Sequence, residues 1–203
     1  MYISNLTIFN ITLRTYFVRL FYTYKSLFGY SLIFCLMPYF NNKKLDKNSK
    51  NNFLKRHNTF FNSNDFLIGF AIGIILHLEE KKEFTKIIKI KSILTSTLGA
   101  IGDKLIYQMV LPVFILTTMN LIIYSYFNPN IYVIFLVLIL SFLFVFSHFL
   151  VRFFSIKLGF YKGITSINFF KTRKFIKLNK IFNYIKSVLL IILMINLIVV
   201  FFV

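Results

Sequence analysis

Residues 131–151, IYVIFLVLILSFLFVFSHFLV, are apolar except for Ser141, Ser147 and His148. A run of this length matches the ~20 residues an α-helix needs to cross the ~30 Å hydrocarbon core of a bilayer. Within lipid, every backbone N–H and C=O must be satisfied inside the segment, so this stretch is predicted to be a helix. Two other stretches read in the same way. Residues 105–127 are interrupted by Pro112, and residues 187–203 are apolar to the last residue and at the short limit for a span. Nothing alternates with the period of two that marks strands. The expected fold is an all-α, polytopic integral membrane protein over residues 1–203, with long spans plus short or re-entrant and interfacial helices.

The remaining membrane-facing features are shorter. In residues 1–40, Arg14, Arg19 and Lys25 sit among Phe17, Leu20, Phe21, Tyr24, Leu27 and Phe28, the pattern of a helix lying in a bilayer interface. Gly29 marks a break, and Pro38 is expected to end the helix that follows. Residues 41–58 form a hydrophilic, Asn/Lys-rich loop running into a basic helix. The cluster Asn62-Ser63-Asn64-Asp65 supplies helix N-cap residues. The apolar run Phe66–Leu78 is too short to span. Its glycines at 69 and 73, four residues apart, allow close approach of a second helix.

Charge separates the partner classes. The chain carries 24 Lys and Arg against six acids, a net +18. Arg152, Lys157, Lys162, Lys171, Arg173, Lys174, Lys177, Lys180 and Lys186 fall within residues 152–186, between two apolar stretches. Such a segment is expected to face the cytoplasm and anionic lipid headgroups. Nucleic-acid binding, which needs a basic face on a soluble domain, is not expected. The single Cys35 excludes an internal disulfide and a cysteine-rich metal site. No nucleophile–base pair, metal-ligand spacing or nucleotide loop is visible. Residues 99–104, Gly-Ala-Ile-Gly-Asp-Lys, have the wrong glycine spacing for a P-loop.

Two acidic features stand out in so basic a chain. Glu79 and Glu80 close the run that begins at Phe66. Adjacent helical residues point about 100° apart, so the pair cannot form one acid–base couple. Ion pairing with Lys81, Lys82 or Arg56 is one expectation, and lining a transport path is the other. Asp103 ends the small-residue segment 92–104, SILTSTLGAIGDK, whose Gly99 and Gly102 permit a non-helical, re-entrant backbone. An acid at membrane depth is usually functional or paired. A cap in a structural turn is the alternative role. His148 and Arg152, four apart, share a helical face and are expected at a headgroup or subunit contact.

Four motifs, in order, then resemble one family. They are Arg56-His57 with Phe60-Phe61-Asn62-Ser63; Gly69 and Gly73 followed by Glu79-Glu80; Leu98-Gly99-Ala100-Ile101-Gly102-Asp103; and His148, Arg152, Gly159-Phe160 and Gly163. Arg14, Gly29 and Pro38 also lie at matching places. The chain resembles the IID component of the mannose-family phosphotransferase system, the bacterial permeases that phosphorylate sugars as they import them.

That resemblance implies a multi-pass subunit of the bacterial cytoplasmic membrane with no cofactor and no catalytic residue of its own. It implies pairing with a IIC subunit as a trimer of IIC–IID pairs, and service by IIA and IIB phosphocarriers. The implied substrate is a hexose or amino sugar. Asp103, Gly99, Gly102, Glu79, Glu80 and Asn62 become candidates for sugar contact or gating. Arg56, His57, His148 and Arg152 become candidates for subunit or headgroup contact, with the phosphorylated histidines on IIA and IIB. The first helix departs from the family pattern: Phe17–Thr23 lack its amide and carboxylate, and Ser96-Thr97 replaces a Gly-Pro pair. A diverged IID chain acting in assembly, without sugar contacts, is the second reading.

Overall fold

A computed structural model describes residues 2–43 and 46–202. Their regular structure is helical; no strand occurs among them, and β-structure is limited to isolated bridges of Leu27 with Thr23 and Phe61. In chain order the helices are α1 (Asn5–Thr15), α2 (Gly29–Asn42), α3 (Lys47–His57), α4 (Ile68–Glu80), α5 (Phe84–Gly102), α6 (Leu111–Phe127), α7 (Ile131–Lys162) and α8 (Arg173–Phe202). Short 3₁₀ stretches cover Val18–Phe21 and Gly163–Lys171. Contacts divide the chain into two compact units where the sequence reading has one domain. Unit 1 holds the residues up to Gly102 and Phe149–Asn168; unit 2 holds Asp103–His148 and the residues from Phe169 onward.

Unit 1 is built around α4. Every residue from Ile68 to Leu76 is buried, so this helix is apolar on all sides, as a core helix should be. The C-terminal part of α7 lies against it backbone to backbone. A Cβ on Gly73 would stand 2.3 Å from the carbonyl oxygen of Ile156 and 2.9 Å from Cα of Gly159. One on Gly69 would stand 2.2 Å from the Ser155 hydroxyl. The four-residue glycine spacing seen in the sequence is therefore used for the close approach it permits. At the end of α7, Gly163 takes φ +59 and packs on the His77 ring. His77 Nδ1 lies 2.7 Å from the carbonyl oxygen of Phe160, satisfying one of the unpaired carbonyls of the last turn of α7.

Several local expectations need correction. Pro38 does not end a helix; it lies inside α2, which continues to Asn42. A proline at 38 cannot donate to the carbonyl of Phe34. Arg14 fills that vacancy, donating from Nη1 to Phe34 O at 2.8 Å, with its guanidinium 4.6 Å from the centre of the Phe34 ring. The 41–58 loop is also much shorter than expected. Asp46 accepts from the backbone N–H groups of Asn48 and Ser49 and starts α3 at Lys47. The Asn62–Asp65 cluster does not cap α4 directly. Asn64 Oδ1 accepts from Phe66 N at 3.0 Å in a turn, and the helix begins after Leu67 without a side-chain cap.

Residues 92–104 do not form a re-entrant hairpin. They are helical through Gly102, and the chain continues as a π-helical stretch, Asp103–Val110, into α6. A helical glycine costs only about 1 kcal/mol, which neighbouring good formers can offset. The irregularity is that stretch itself, which begins directly after Gly102 and ends just ahead of Pro112, whose missing N–H removes one bond from the continuing helix. Residues Phe84–Phe127 are thus one helical run of 44 residues. The C-terminal helix likewise begins well before residue 187, at Arg173.

Among the described residues, three helices are long and apolar enough to cross a membrane: Phe84–Phe127, Ile131–Phe170 and Lys177–Val200. In unit 2, α6 and α8 are joined by amides. Asn196 donates to Asn120 Oδ1 at 2.9 Å, and Asn120 Nδ2 lies 3.2 Å from Leu189 O. Such pairs hold apolar helices together where lipid gives no hydrophobic drive.

Candidate functional site

The end of α4 gathers a cluster of charged side chains in unit 1. The helix closes with Lys82 in the left-handed region, φ 56, and two reverse bonds: Lys82 N to Glu79 O at 3.1 Å and Glu83 N to Leu78 O at 3.0 Å. This closure satisfies the last carbonyls and fixes where the two glutamates stand. Their ~100° separation then sends them to different neighbours.

Glu79 points toward the C-terminal turn of α3. Arg56 grips it bidentately, Nε to Oε1 at 3.0 Å and Nη2 to Oε2 at 2.9 Å. His57 Nε2 lies 2.9 Å from Oε1. Arg56 also stacks on Phe84, 4.1 Å from the ring centre. The Glu79 side chain is 4% exposed and that of His57 0%, so both are removed from water and depend on these partners. Burial pushes the Glu79 carboxyl up, but the hydrogen bonds from His57 and Arg56 outweigh it and hold the group below the usual carboxylate range.

Burial pushes the His57 imidazole down, against the pull of Glu79. The ring is therefore neutral near pH 7 and donates its Nε2–H to Glu79. Its Nδ1 has no hydrogen-bond partner among the described residues. An unfilled lone pair there is tolerable, whereas protonation would add an unpaired buried N–H.

Lys91 completes the group. It is 1% exposed, and its ammonium donates to the carbonyl of His57 at 3.1 Å and to Thr59 Oγ1 at 2.7 Å. A cation here meets the negative end of the α3 dipole and caps it. The sequence reading passed over Lys91. The available signal was its place on the buried stripe of α5, with Ile87, Leu94 and Leu98.

Glu80 turns to α2, where it accepts from the Tyr39 hydroxyl and from Lys43. Burial pushes its carboxyl up, and the contacts with Lys43 and Tyr39 bring it below the usual range. Together with Ser49, Asn52, Lys82 and Phe84, these side chains line a cleft of about 360 Å³ between α2, α3 and the end of α4. The arrangement is polar, locally compensated and shaped to hold helices together.

The other candidate residues are dispersed. The backbone N–H of Asn62 lies 3.3 Å from Thr95 Oγ1, and Gly102 presses on Asn64, with 2.3 Å between a virtual Cβ and Asn64 Cβ. Gly99 has nothing within 4 Å of such a Cβ. Arg152 is buried, 3.1 Å from Thr15 Oγ1 and stacked 4.3 Å from the centre of the Tyr16 ring. In unit 2, Asp103 is exposed at the start of the π-helical stretch, and the His148 ring lies 4.3 Å from that of Phe144. His148 and Arg152 thus fall in different units despite their helical spacing.

A family described as "PTS system mannose/fructose/sorbose family IID component" matches residues 2–202. The chain belongs to this family of IID components. No curated protein gives a match. Solved structures are similar in fold. One, described as "Structure of membrane protein", aligns with a TM-score of 0.76 at 20% identity over 94% of this chain and 70% of its own. A chain from a cryo-EM structure of the mannose transporter ManYZ with a microcin aligns with a TM-score of 0.66 at 20% identity, over 93% and 69%. The IID assignment and the three long apolar helices place this chain in a membrane.

The buried group in this IID chain has a pH signature. A His with a lowered folded value contributes stability above its unfolded value near 6.5 and loses it as pH falls below that. Glu79 contributes above the ordinary carboxylate range and is lost only at lower pH. Between pH 7.5 and 5.5 the melting temperature in detergent is therefore expected to fall through His57, with a slope limited to about 1.4 kcal/mol per pH unit. His57→Gln should flatten this part of the curve. An equal slope in wild type and variant would show that another group titrates.

Proposed function

We propose that this chain is the IID half of a sugar-translocating unit. It pairs with a IIC subunit in the bacterial cytoplasmic membrane, in a trimer of such pairs, and passes a hexose or amino sugar to IIB for phosphorylation. The observation that carries the reading is the family match over residues 2–202. The bareness of the long helices supports it: in their most apolar parts only 11%, 6% and 0% of the residues are buried. Helices so exposed need lipid or a second subunit around them. The name of the ManYZ structure adds that a chain of this fold occurs in a mannose transporter.

In this scheme the IIC–IID core moves to carry an outside sugar to the inner face, where phosphorylation lowers its affinity for the carrier. Asp103 is the residue proposed to touch the sugar path. It is an exposed acid next to a packed glycine, at the head of a π-helical stretch, and such stretches often sit at functional sites. A second reading, assembly without sugar contact, is favoured by the internal pairing of both Glu79 and Glu80.

Uptake of labelled hexoses and amino sugars tests both readings, in cells carrying IIC and the phosphocarriers with and without this chain. The permease reading expects uptake only with the chain present, and a loss of at least about tenfold for Asp103→Asn with unchanged co-purification of IIC, as expected when a charged hydrogen bond to substrate is lost. Unchanged uptake in Asp103→Asn removes Asp103 from the path. Sugar binding by IIC alone, equal to that of the complex, favours the assembly reading. Failure to co-purify with IIC overturns both.

A further inference from the structure

Beside Pro38, α1 and α2 enclose a cleft of about 460 Å³ lined by Asn10, Leu13, Arg14, Pro38, Asn41 and Asn42. No carboxylate is among these residues. The polar ones offer amide N–H groups and a guanidinium, a donor set suited to an oxyanion. Arg14 is fixed in advance. One N–H is spent on Phe34 O, and the ring of Phe34 holds the guanidinium plane. A guanidinium has five N–H donors, so the remaining ones are presented without the entropic cost of ordering a free side chain. Asn42 is likewise held, by its bond to Thr7 Oγ1 at 2.9 Å.

The surroundings identify what carries the oxyanion. Along α1, Leu6, Phe9, Asn10 and Leu13 fall on one helical face by their spacing of three and four. Leu6 is 70% exposed, Phe9 42% and Leu13 43%. An exposed apolar track therefore leads along the helix into the polar cleft. A small soluble anion has no use for that track, whereas an amphiphile fits both parts, its phosphate among Arg14 and the asparagines and its acyl chain along α1.

We infer that the α1–α2 cleft binds the phosphodiester headgroup of an anionic phospholipid. This is distinct from the diffuse attraction of the basic 152–186 segment, because it depends on one fixed guanidinium together with neutral amides that contribute nothing to net charge.

The test uses the full-length chain, delipidated in dodecyl maltoside, with native mass spectrometry and thermal melting as readouts. The probes are palmitoyl-oleoyl phosphatidylglycerol, the matching phosphatidylcholine and inorganic phosphate. The wild-type chain should retain phosphatidylglycerol about tenfold more than phosphatidylcholine, which carries the same phosphodiester but adds an ammonium that would sit against the Arg14 guanidinium. Asn10→Leu with Asn41→Leu should abolish the preference. Both positions are exposed, and this variant keeps Arg14 on Phe34, so it tests the cleft without disturbing α2. Arg14→Gln should also lose the preference, and any loss of folding there leaves the asparagine variant decisive. Equal retention of the two lipids, or an unchanged preference in the double variant, overturns the site. Equal protection by inorganic phosphate overturns the assignment to lipid.

Discussion

Glu79→Leu is expected to cost unit 1 about 3–5 kcal/mol, the scale of a buried ion pair broken from one side. The change leaves Arg56 without its bidentate acceptor and the His57 Nε2–H without a partner, at a side chain fully removed from water. In a marginally stable chain that is a large part of the available margin. The full-length protein should lose its folded peak on gel filtration in mild detergent, or melt far lower. Glu80→Gln is the contrast. Its partner Lys43 has a side chain 40% exposed, and a Gln amide oxygen can still accept from the buried Tyr39 hydroxyl, so a loss of under about 1 kcal/mol is expected. Adding Arg56→Met to Glu79→Leu should restore part of the stability, because removing both charges avoids the uncompensated one. If Glu79→Leu melted like wild type, the buried triad would not be holding α3 to α4.

How far this was legible in the sequence depends on the distance each feature spans. The short apolar run ending in two acids and its glycine face followed from periodicity and residue size, and Arg56 was among the bases in reach of the glutamates. The partners that decide the remaining features come from elsewhere in the chain. Pro38 reads locally as a stop, yet Arg14 from α1 supplies the donor that lets α2 continue. Lys91 reads as one of several lysines in a basic segment, yet it is buried against the end of α3. Gly99 and Gly102 read as a break, yet helix continues through both, and the irregular turn comes at Asp103. The separation of His148 from Arg152 into two units was invisible, since α7 runs unbroken between them.

Gly73→Ala should destabilise the chain although alanine is the better helix former. On an open helical surface the exchange gains about 1 kcal/mol. At residue 73 the new methyl would fall 2.3 Å from Ile156 O, 2.9 Å from Gly159 Cα and 2.9 Å from Phe160 N, all backbone atoms. No side chain can turn away, so α4 and α7 must separate, at a cost of about 1–3 kcal/mol, and the outcome is a net loss. Gly73→Val, with two more methyls in the same space, should fail to give folded protein. Gly99→Ala sets the sign of the comparison. Its Cβ meets nothing within 4 Å in this chain, so it should be neutral or stabilising by up to about 1 kcal/mol. Melting curves of Gly73→Ala, Gly99→Ala and wild type in one detergent check the ordering, and gel filtration reads Gly73→Val. Should Gly73→Ala melt at or above wild type, the two helices would not be in backbone contact, and the packing that positions Glu79 beside Arg56 would have to be redrawn. Should Gly99→Ala lose stability inside an assembled complex but not alone, another subunit would occupy the space beside it.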